Sequence, residues 1–345
     1  MGHTDRVDHR RSPGLIDLQV NGYAGFDVNA DDVTPETVID LTRALWAEGV
    51  TTYLPTVITA GEEKIRHSLA QIAAARRSDP LIAHSIAGVH VEGPYLAADD
   101  GPRGAHDVAH LRDPDLGELE RWQQAAEGLV RIVTLAPERA GSAQYIAGAV
   151  ARGVRVSVGH SAAEPEHVHA AVQAGATLST HLGNGTYPVL PRHPNHIWAQ
   201  LAADSLTAMF IPDGHHLPAD TLTAMIRAKG IRRSVLTSDS VALAGVAPGE
   251  YRTPVGGAVT VHDDGRLTLA GTHLLAGSGH SLRHGLAWAR AHLPFTDEDL
   301  HAMATTNPAA LLGLTERVTG GADTVDWHDD AVVATRVAGT EVHRA

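Results

Sequence analysis

Residues 154–182 read VRVSVGHSAAEPEHVHAAVQAGATLSTHL, and this stretch decides the fold. It opens and closes with short β-rich apolar runs, 154–159 and 177–182, which have the length and composition of buried strands. Between them, residues 164–174 read as a helix, and Gly175 follows where a left-handed C-cap is needed. The stretch therefore predicts a strand–helix–strand unit, with a histidine at the end of each strand.

The same alternation of apolar runs and helical patterns extends from near the start of the chain to about residue 312. The helical stretches outside the first unit include 35–48, 62–76, 142–152 and 218–229. Eight strand-then-helix units predict an α/β fold, the (β/α)8 TIM barrel, and an open doubly wound sheet is the structural alternative. The eight predicted strands are 14–20, 50–57, 86–92, 130–135, 154–159, 177–182, 206–211 and 234–239.

Two segments interrupt this rhythm. Residues 245–272 predict a β-hairpin excursion with a turn at Asp263-Asp264-Gly265. Residues 322–343 read as short terminal strands outside the barrel, and only a short segment precedes the first barrel strand. We therefore predict a catalytic barrel over 13–320 and a small, reduced β module that combines 321–345 with 1–12.

Composition limits the classes of partner. The chain has 345 residues and a formal net charge of −13, which argues against nucleic acid because phosphate binding needs clustered Lys and Arg. It has no cysteine, so disulfides and thiolate metal sites are excluded. The polar start MGHTDRVDHRRSP lacks an apolar signal core, and no run approaches membrane-spanning length. We expect a cytoplasmic protein that acts on a small molecule.

Polar side chains stand where the predicted strands end, which is where barrel enzymes place their catalytic groups. A single histidine at a strand end is more often structural, but several on successive strands, with an acid on strand 8, favour a metal centre. Two imidazoles and one carboxylate with an open position form the ligand set of catalytic zinc and of several ferrous sites. The strand-end residues are Gln19, Asn21, His90, Glu92, His160, His181, His215 and Asp239.

Glu92, His160 and His181 form such a ligand set. A divalent ion held there would lower the pKa of its water and polarise a substrate carbonyl. Asp239 would then take the proton of that water and return it to a leaving amine. This combination predicts metal-dependent hydrolysis of an amide.

Around these residues the sequence resembles the amidohydrolase superfamily, and within it the N-acetylglucosamine-6-phosphate deacetylase family. The resemblance implies a barrel of the metal-dependent hydrolase type that converts N-acetylglucosamine-6-phosphate into glucosamine-6-phosphate and acetate. It also implies a homodimer with shared sites. The motifs that carry it are PGLIDLQVNGYAGFD (13–27), GVHVEGPYL (88–96), GPRGAH (101–106), GHSAA (159–163), THLGNG (180–185), DGHH (213–216), TSDS (237–240) and LAGS (275–278).

Carried over by position, the resemblance implies a role for each matching residue. Glu92, His160 and His181 are the implied metal ligands, and Asp239 is the implied acid/base. His215 matches a histidine near the scissile carbonyl. The implied substrate contacts are His106, Asn184, Gly185, Arg192 and His215.

The chain also departs from the family pattern. Gln19-Val20-Asn21 stands where many members of the superfamily carry His-x-His, the ligands of a second metal. An amide is a poor substitute for imidazole, so we predict one divalent ion, zinc or iron(II). Arg192, in the segment PRHPNH, either contacts a substrate phosphate or is a surface arginine. Asn184-Gly185 replaces an Asn-Ala pair.

Two other functions remain open from the sequence. The substrate is either the amino-sugar phosphate or another N-acyl compound without a phosphate. A catalytically silent barrel that only binds a ligand is the remaining alternative. The intact set of Glu92, His160, His181 and Asp239 argues against the silent barrel.

Overall fold

The computed structural model describes residues 9–253 and 257–345, and its centre is a barrel of eight parallel strands. Each strand pairs with the next one along the chain, and a parallel bridge between Val20 and Ser240 joins the first strand to the segment after the last. The predicted (β/α)8 barrel is confirmed. Its strands are Leu15–Val20, Val50–Ile58, Val89–Glu92, Val130–Leu135, Arg155–Val158, Leu178–Ser179, Thr207–Phe210 and Ser234–Leu236.

Two of these strands end three residues earlier than the sequence predicts. The sixth strand covers only Leu178–Ser179 and the eighth ends at Leu236, whereas the predicted strands extend to 182 and 239. His181 has a φ of 27° and Asp239 a φ of 49°, both in the left-handed region. A backbone in that region cannot continue a strand, so the chain turns at the mouth of the barrel.

Helices surround the barrel and return the chain to the start of each next strand. The first begins after Thr34, whose hydroxyl accepts from the backbone N–H of Thr37, with Pro35 at the first helical position. The helices are Pro35–Ala47, Glu62–Ser78, Pro80–Ser85, Leu116–Ala125, Ser142–Ala151, Pro165–Gln173, His196–Ala202, Ala219–Lys229, Leu282–His292, Asp297–Ala304, Thr306–Leu312 and Thr315–Thr319, with 3-10 turns at Val108–His110 and Ile231–Arg233.

The core divides into an inner and an outer part. A large apolar layer lies between the strands and the helices and includes stacked Tyr95 and Trp122. Inside the barrel, a smaller cluster is contributed by alternate strand residues. Because apolar side chains fill this part of the interior, the polar strand-end groups are left to form the opposite mouth. The inner cluster consists of Ile16, Leu18, Leu54, Ile132, Leu178, Met209, Val235 and Ala309.

Both ends of the chain meet in one antiparallel sheet beside the barrel. Its strands are His9–Pro13, Thr324–His328, Ala331–Val337 and Thr340–Arg344, in that order. Buried Trp327 donates its indole N–H to the Ser12 hydroxyl and packs close to Gly49 at the foot of the second barrel strand. The part of the proposed β module that falls on residues 1–8 lies outside the described residues.

The second excursion forms a three-stranded antiparallel sheet. Its strands are Gly249–Thr253, Gly257–Val261 and Leu267–Leu269, and Asp263-Asp264-Gly265 forms the turn between the last two. Residues 254–256, within the predicted hairpin, are outside the described residues. In the part of the chain that the structure describes, no helix combines the length and the apolar character that a membrane crossing requires.

Candidate active site

Three residues predicted for catalysis share an unusual backbone conformation. His160, His181 and Asp239 have φ values of 48°, 27° and 49°, which non-glycine residues rarely adopt. They follow the ends of barrel strands five, six and eight, respectively, by two or three residues. Such conformations cost free energy and collect at functional sites, where the turn directs a side chain. The local strain therefore marks this mouth of the barrel as the site.

The predicted metal ligands meet there. Nε2 of His181 lies 3.1 Å from Oε1 of Glu92, and Nε2 of His160 lies 3.4 Å from the same oxygen. All three side chains are buried. Asp239 belongs to the same group, since its carboxylate interacts electrostatically with Glu92 and His181. The residues come from four strands that are distant in sequence, and the barrel brings them together.

The loop after strand three contributes His106 to this cluster. Its Nε2 lies 3.3 Å from Nε2 of His160 and 3.9 Å from Oε2 of Glu92. Glu92, His106 and His160 each offer a ligand atom within 4.8 Å of the others, so His106 belongs to a second possible ligand trio. The resemblance in sequence implies only a substrate contact for His106.

Close backbone approaches hold the His160 ring in place. A Cβ added to Gly185 would lie 2.8 Å from Nδ1 of His160, and one added to Gly104 would lie 3.1 Å from its Cε1. The backbone carbonyl of Gly185 also accepts from the N–H of Ser161. These contacts place Gly185 directly against the ligand cluster, whereas Asn184 donates its amide to the His181 carbonyl.

The electrostatics of the cluster favour a cation. Burial alone would raise the pKa of Glu92, but hydrogen bonds from His160 and His181 hold it well below its usual range. Burial, followed by the charge of His160, lowers the pKa of His106 to about 3, so this ring is neutral. A carboxylate surrounded by buried imidazoles is a donor set for a divalent ion. Nδ1 of His106 and Nδ1 of His181 have no hydrogen-bond partner among the described residues. The residues fit a metal.

Asp239 has the properties of a proton-transfer group. Burial, together with repulsion from Glu92, raises the pKa of its carboxyl to about 6. General acid–base catalysis is most efficient when the pKa lies near the working pH. The Asn21 amide donates to Oδ1 of Asp239 over 2.8 Å.

The DGHH segment places its two histidines differently. His215 stands at the rim, where its ring stacks on His280 and its Nε2 lies 3.3 Å from the backbone oxygen of Asp264. His216 has a largely buried side chain and contributes to the electrostatic environment of Asp239. The sequence alone favours His215 only by its position in the motif, since after a strand end no alternation rule tells two adjacent histidines apart.

Asp213 is responsible for this arrangement. Its carboxylate accepts from the backbone N–H groups of His215 and His216, both over 2.9 Å, and from Nδ1 of His216 over 2.6 Å. Although burial opposes it, these hydrogen bonds, led by that of His216, lower the pKa of Asp213 to about 2. The carboxylate therefore remains ionised and fixes the His216 ring through its Nδ1.

Two further residues lie apart from the cluster. Arg192 is in an exposed stretch, and its backbone oxygen accepts from the indole N–H of Trp198. His90 is buried between Leu18 and Thr134, with its ring nitrogens 3.2 Å from the Leu18 carbonyl and 2.7 Å from the Thr134 hydroxyl. Both ring nitrogens of His90 are therefore engaged by residues of other barrel strands.

Comparison with known proteins identifies the family of the chain. The profile of the Amidohydrolase family matches residues 12–320. The chain belongs to the amidohydrolase family. It is therefore a metal-dependent hydrolase, and the resemblance noted in the sequence is confirmed.

The relatives of this amidohydrolase include sugar-phosphate deacetylases. It is 32% identical to N-acetylglucosamine-6-phosphate deacetylase of Vibrio furnissii over 88% of the chain and 73% of the relative. It is 33% identical to N-acetylgalactosamine-6-phosphate deacetylase of Escherichia coli O157:H7 over 90% of the chain and 80% of the relative. The crystal structure of N-acetyl-D-glucosamine-6-phosphate deacetylase from Mycobacterium smegmatis superposes with a TM-score of 0.87 at 33% identity, covering 99% of this chain and 90% of that one.

Proposed function

We propose that this amidohydrolase removes the acetyl group from N-acetylglucosamine-6-phosphate, giving glucosamine-6-phosphate and acetate. The observation that carries the proposal is the meeting of Glu92, His160 and His181 beside Asp239. The deacetylase relatives, which match about nine-tenths of the chain, support the choice of reaction.

We propose Glu92, His160 and His181 as the ligands of one divalent ion, zinc or iron(II). When bound, the ion supplies Lewis acidity toward the substrate carbonyl and makes a water more acidic. Glu92 contributes the negative charge that holds the cation, and the two imidazoles complete a set that leaves a position open. His106 stands at the edge of this set, within reach of substrate.

Asp239 is the proposed proton carrier. With a pKa of about 6, the Asp239 carboxyl is ionised in most molecules at neutral pH, and it accepts the proton of the attacking water. Attack makes the amide carbon tetrahedral and leaves a lone pair on nitrogen. Asp239 donates its proton to this nitrogen, the C–N bond breaks with its electron pair going to nitrogen, and the carboxylate is restored.

His216 is the proposed donor to the oxygen that becomes negative during attack. Asp213 accepts from its Nδ1–H, so Nε2 donates only in the imidazolium form of the ring, whose positive charge the Asp213 carboxylate balances. A donor fixed in advance stabilises the developing charge more than one that must reorient. The resemblance by position implies His215 as the histidine near the scissile carbonyl. We assign this role to His216 instead.

The remaining residues of the predicted site are proposed to bind the sugar phosphate. His106, Asn184 and Gly185 lie around the ligand cluster, and Arg192 offers an exposed guanidinium on the loop after strand six. A guanidinium suits phosphate because its N–H groups form a fixed fork. We also propose a homodimer in which Arg192 reaches the partner's site, and a cytoplasmic location, since a sugar phosphate does not cross membranes unaided.

A hydrolysis panel tests the function. Acetate release is measured with N-acetylglucosamine-6-phosphate, N-acetylgalactosamine-6-phosphate and unphosphorylated N-acetylglucosamine under equal conditions. We expect the highest kcat/KM for the first. Preference for the galactosamine compound would assign the activity of the Escherichia coli relative instead. A higher kcat/KM without the phosphate would favour an N-acyl substrate of another kind and refute the phosphate site.

A further inference from the structure

Two buried amides each contact one of the site's carboxylates. Gln19 donates from Nε2 to Oε1 of Glu92 over 3.0 Å. Asn21 donates from Nδ2 to Oδ1 of Asp239 over 2.8 Å. Both amides stand at the end of the first barrel strand, and both side chains are buried. A single strand end therefore reaches the carboxylate proposed for the metal and the carboxylate proposed for proton transfer.

The oxygens of the same two amides have no partner. Oε1 of Gln19 and Oδ1 of Asn21 are buried and accept no hydrogen bond from any described residue. A buried acceptor without a donor costs about 1–3 kcal/mol, so such atoms usually await a donor from water or a ligand. The orientation is not arbitrary, because only the NH2 end of an amide forms a favourable bond with a carboxylate.

The two orphaned oxygens differ in their surroundings. The Gln19 oxygen belongs to an amide that is hydrogen-bonded to Glu92, the carboxylate proposed as a metal ligand. The Asn21 oxygen is carried by the amide that holds Asp239, so it lies next to the group that must meet the substrate nitrogen. A secondary amide substrate brings one N–H to that place, and the product amine brings more.

We propose that both amides take part in the function of the site. Gln19 orients Glu92 for the cation. Asn21 orients Asp239 and accepts a hydrogen bond from the N–H of the scissile amide. This inference rests on the proposed hydrolysis of an N-acyl substrate. Asn21 then acts as a catalytic residue, because it touches the reacting nitrogen, and Gln19 acts as a positioning residue.

The role of Asn21 follows from the geometry of nitrogen during the reaction. After water has attacked, the nitrogen carries one N–H, one lone pair and its bonds to carbon. Holding the N–H on the Asn21 oxygen turns the lone pair toward the neighbouring Asp239 carboxyl, whose proton it receives. The C–N bond then breaks, its electrons remain on nitrogen, and the new N–H of the amine comes from Asp239.

Metal affinity tests the role of Gln19. Gln19→Leu and the longer Gln19→Met remove the amide, and we expect each to weaken zinc binding by about 10–100-fold in competition with a chromogenic chelator. Asn307→Leu is the matched control, since Asn307 donates to the carbonyls of Ile231 and Ser234 at the other end of the barrel. Zinc affinities of both Gln19 variants equal to wild type would overturn this role.

Asn21→Leu tests the second role and should leave zinc affinity within about threefold of wild type. We expect kcat for the N-acetyl substrate to fall by at least about 100-fold with KM nearly constant, as for an interaction made during the chemical step. Unchanged kcat, or a rise in KM alone, would contradict this role. Asn21→Ser, which retains a small acceptor, should recover part of the lost kcat.

An ester substrate shows whether Asn21→Leu acts through the lost contact with the substrate N–H or through general disorder of the site. The 2-O-acetyl analogue of the sugar phosphate has no N–H to offer. Asn21→Leu should therefore lower amide turnover at least about tenfold more than ester turnover. Equal losses would overturn the N–H contact. If wild type released no acetate from any N-acetyl sugar, the proposed function would fail, whereas zinc affinity would still decide the role of Gln19.

Discussion

Nδ1 of His160 lies 2.9 Å from the backbone oxygen of Pro102. A carbonyl oxygen only accepts, so Nδ1 carries a proton and Nε2, 3.4 Å from Oε1 of Glu92, faces the cluster. Hydrogen bonds of this kind fix the tautomer and orientation of metal-binding histidines. Without a cation Nε2 donates to Glu92, and a bound cation would take the place of that proton. The loop that carries His106 thus also prepares His160 for a cation.

Removing the negative charge of Glu92 should abolish metal binding. Glu92→Gln keeps the shape of the side chain but replaces an anionic ligand by an amide, so we expect metal affinity to fall by at least about 100-fold. Metal analysis after dialysis measures the effect. Glu118→Gln, at a buried carboxylate paired with Arg112, is the control and should retain the metal. Full occupancy in Glu92→Gln would remove this residue from the ligand set.

Asp239→Asn should separate metal binding from turnover. The amide cannot carry the proton from water to the leaving nitrogen, and general acid–base catalysis contributes about 100- to 10,000-fold. We expect kcat to fall within that range while metal content stays near that of wild type. The comparison requires both measurements on the same preparation. A variant with wild-type turnover would refute the role of Asp239.

Asp213→Asn distinguishes the two histidines of the DGHH segment. Losing the anionic partner of His216 should lower kcat by roughly 10–100-fold without loss of metal, because the ring loses the charge that balances its protonated form and fixes its orientation. His216→Ala should have a similar effect, whereas His215→Ala at the rim should change kcat by less than about threefold. The reverse order of effects would return the catalytic role to His215.

The contrast between these histidines shows what the sequence reveals and where it stops. Strand periodicity and the positions of strand ends were enough to predict the barrel and to select Glu92, His160 and His181. The turns beyond the strands have no such period. Which of His215 and His216 faces the site depends on Asp213 accepting two backbone N–H groups, a contact that has no sequence signature.

The same limit applies to the loops and to the chain ends. His106 reaches the ligand cluster only because the 101–106 loop folds back over His160, and spacing along the chain does not encode this fold. The strand His9–Pro13 is polar and half exposed, so it lacks the apolar alternation by which the barrel strands were found. Its pairing with Thr324–His328 joins residues more than 300 positions apart.

Lys229 gives a prediction for stability. Its ammonium is buried and donates to the carbonyls of Gln200 and Ala203, and burial lowers its pKa to about 8 from 10.5. Between these values the unfolded chain holds a proton that the folded chain has lost, so raising the pH favours the folded state. From pH 7.5 to 10, the free energy of unfolding of wild type relative to Lys229→Met should rise by about 2 kcal/mol.

Urea unfolding of both proteins at the two pH values makes this measurement. The comparison with Lys229→Met cancels the contributions of the other titrating groups, because the substitution leaves them in place. A difference that stays constant or decreases with pH would contradict a lowered pKa for Lys229.

The most direct test of the metal-dependent site is a titration of the metal-free enzyme with zinc or iron(II). Bound metal and acetate release from N-acetylglucosamine-6-phosphate are followed together. We predict that both rise in parallel and level off at one ion per chain, and that Asp239→Asn binds the same amount of metal with kcat lowered at least about 100-fold. Full turnover in enzyme stripped of metal, or activity that appears only with a second ion, would contradict this prediction.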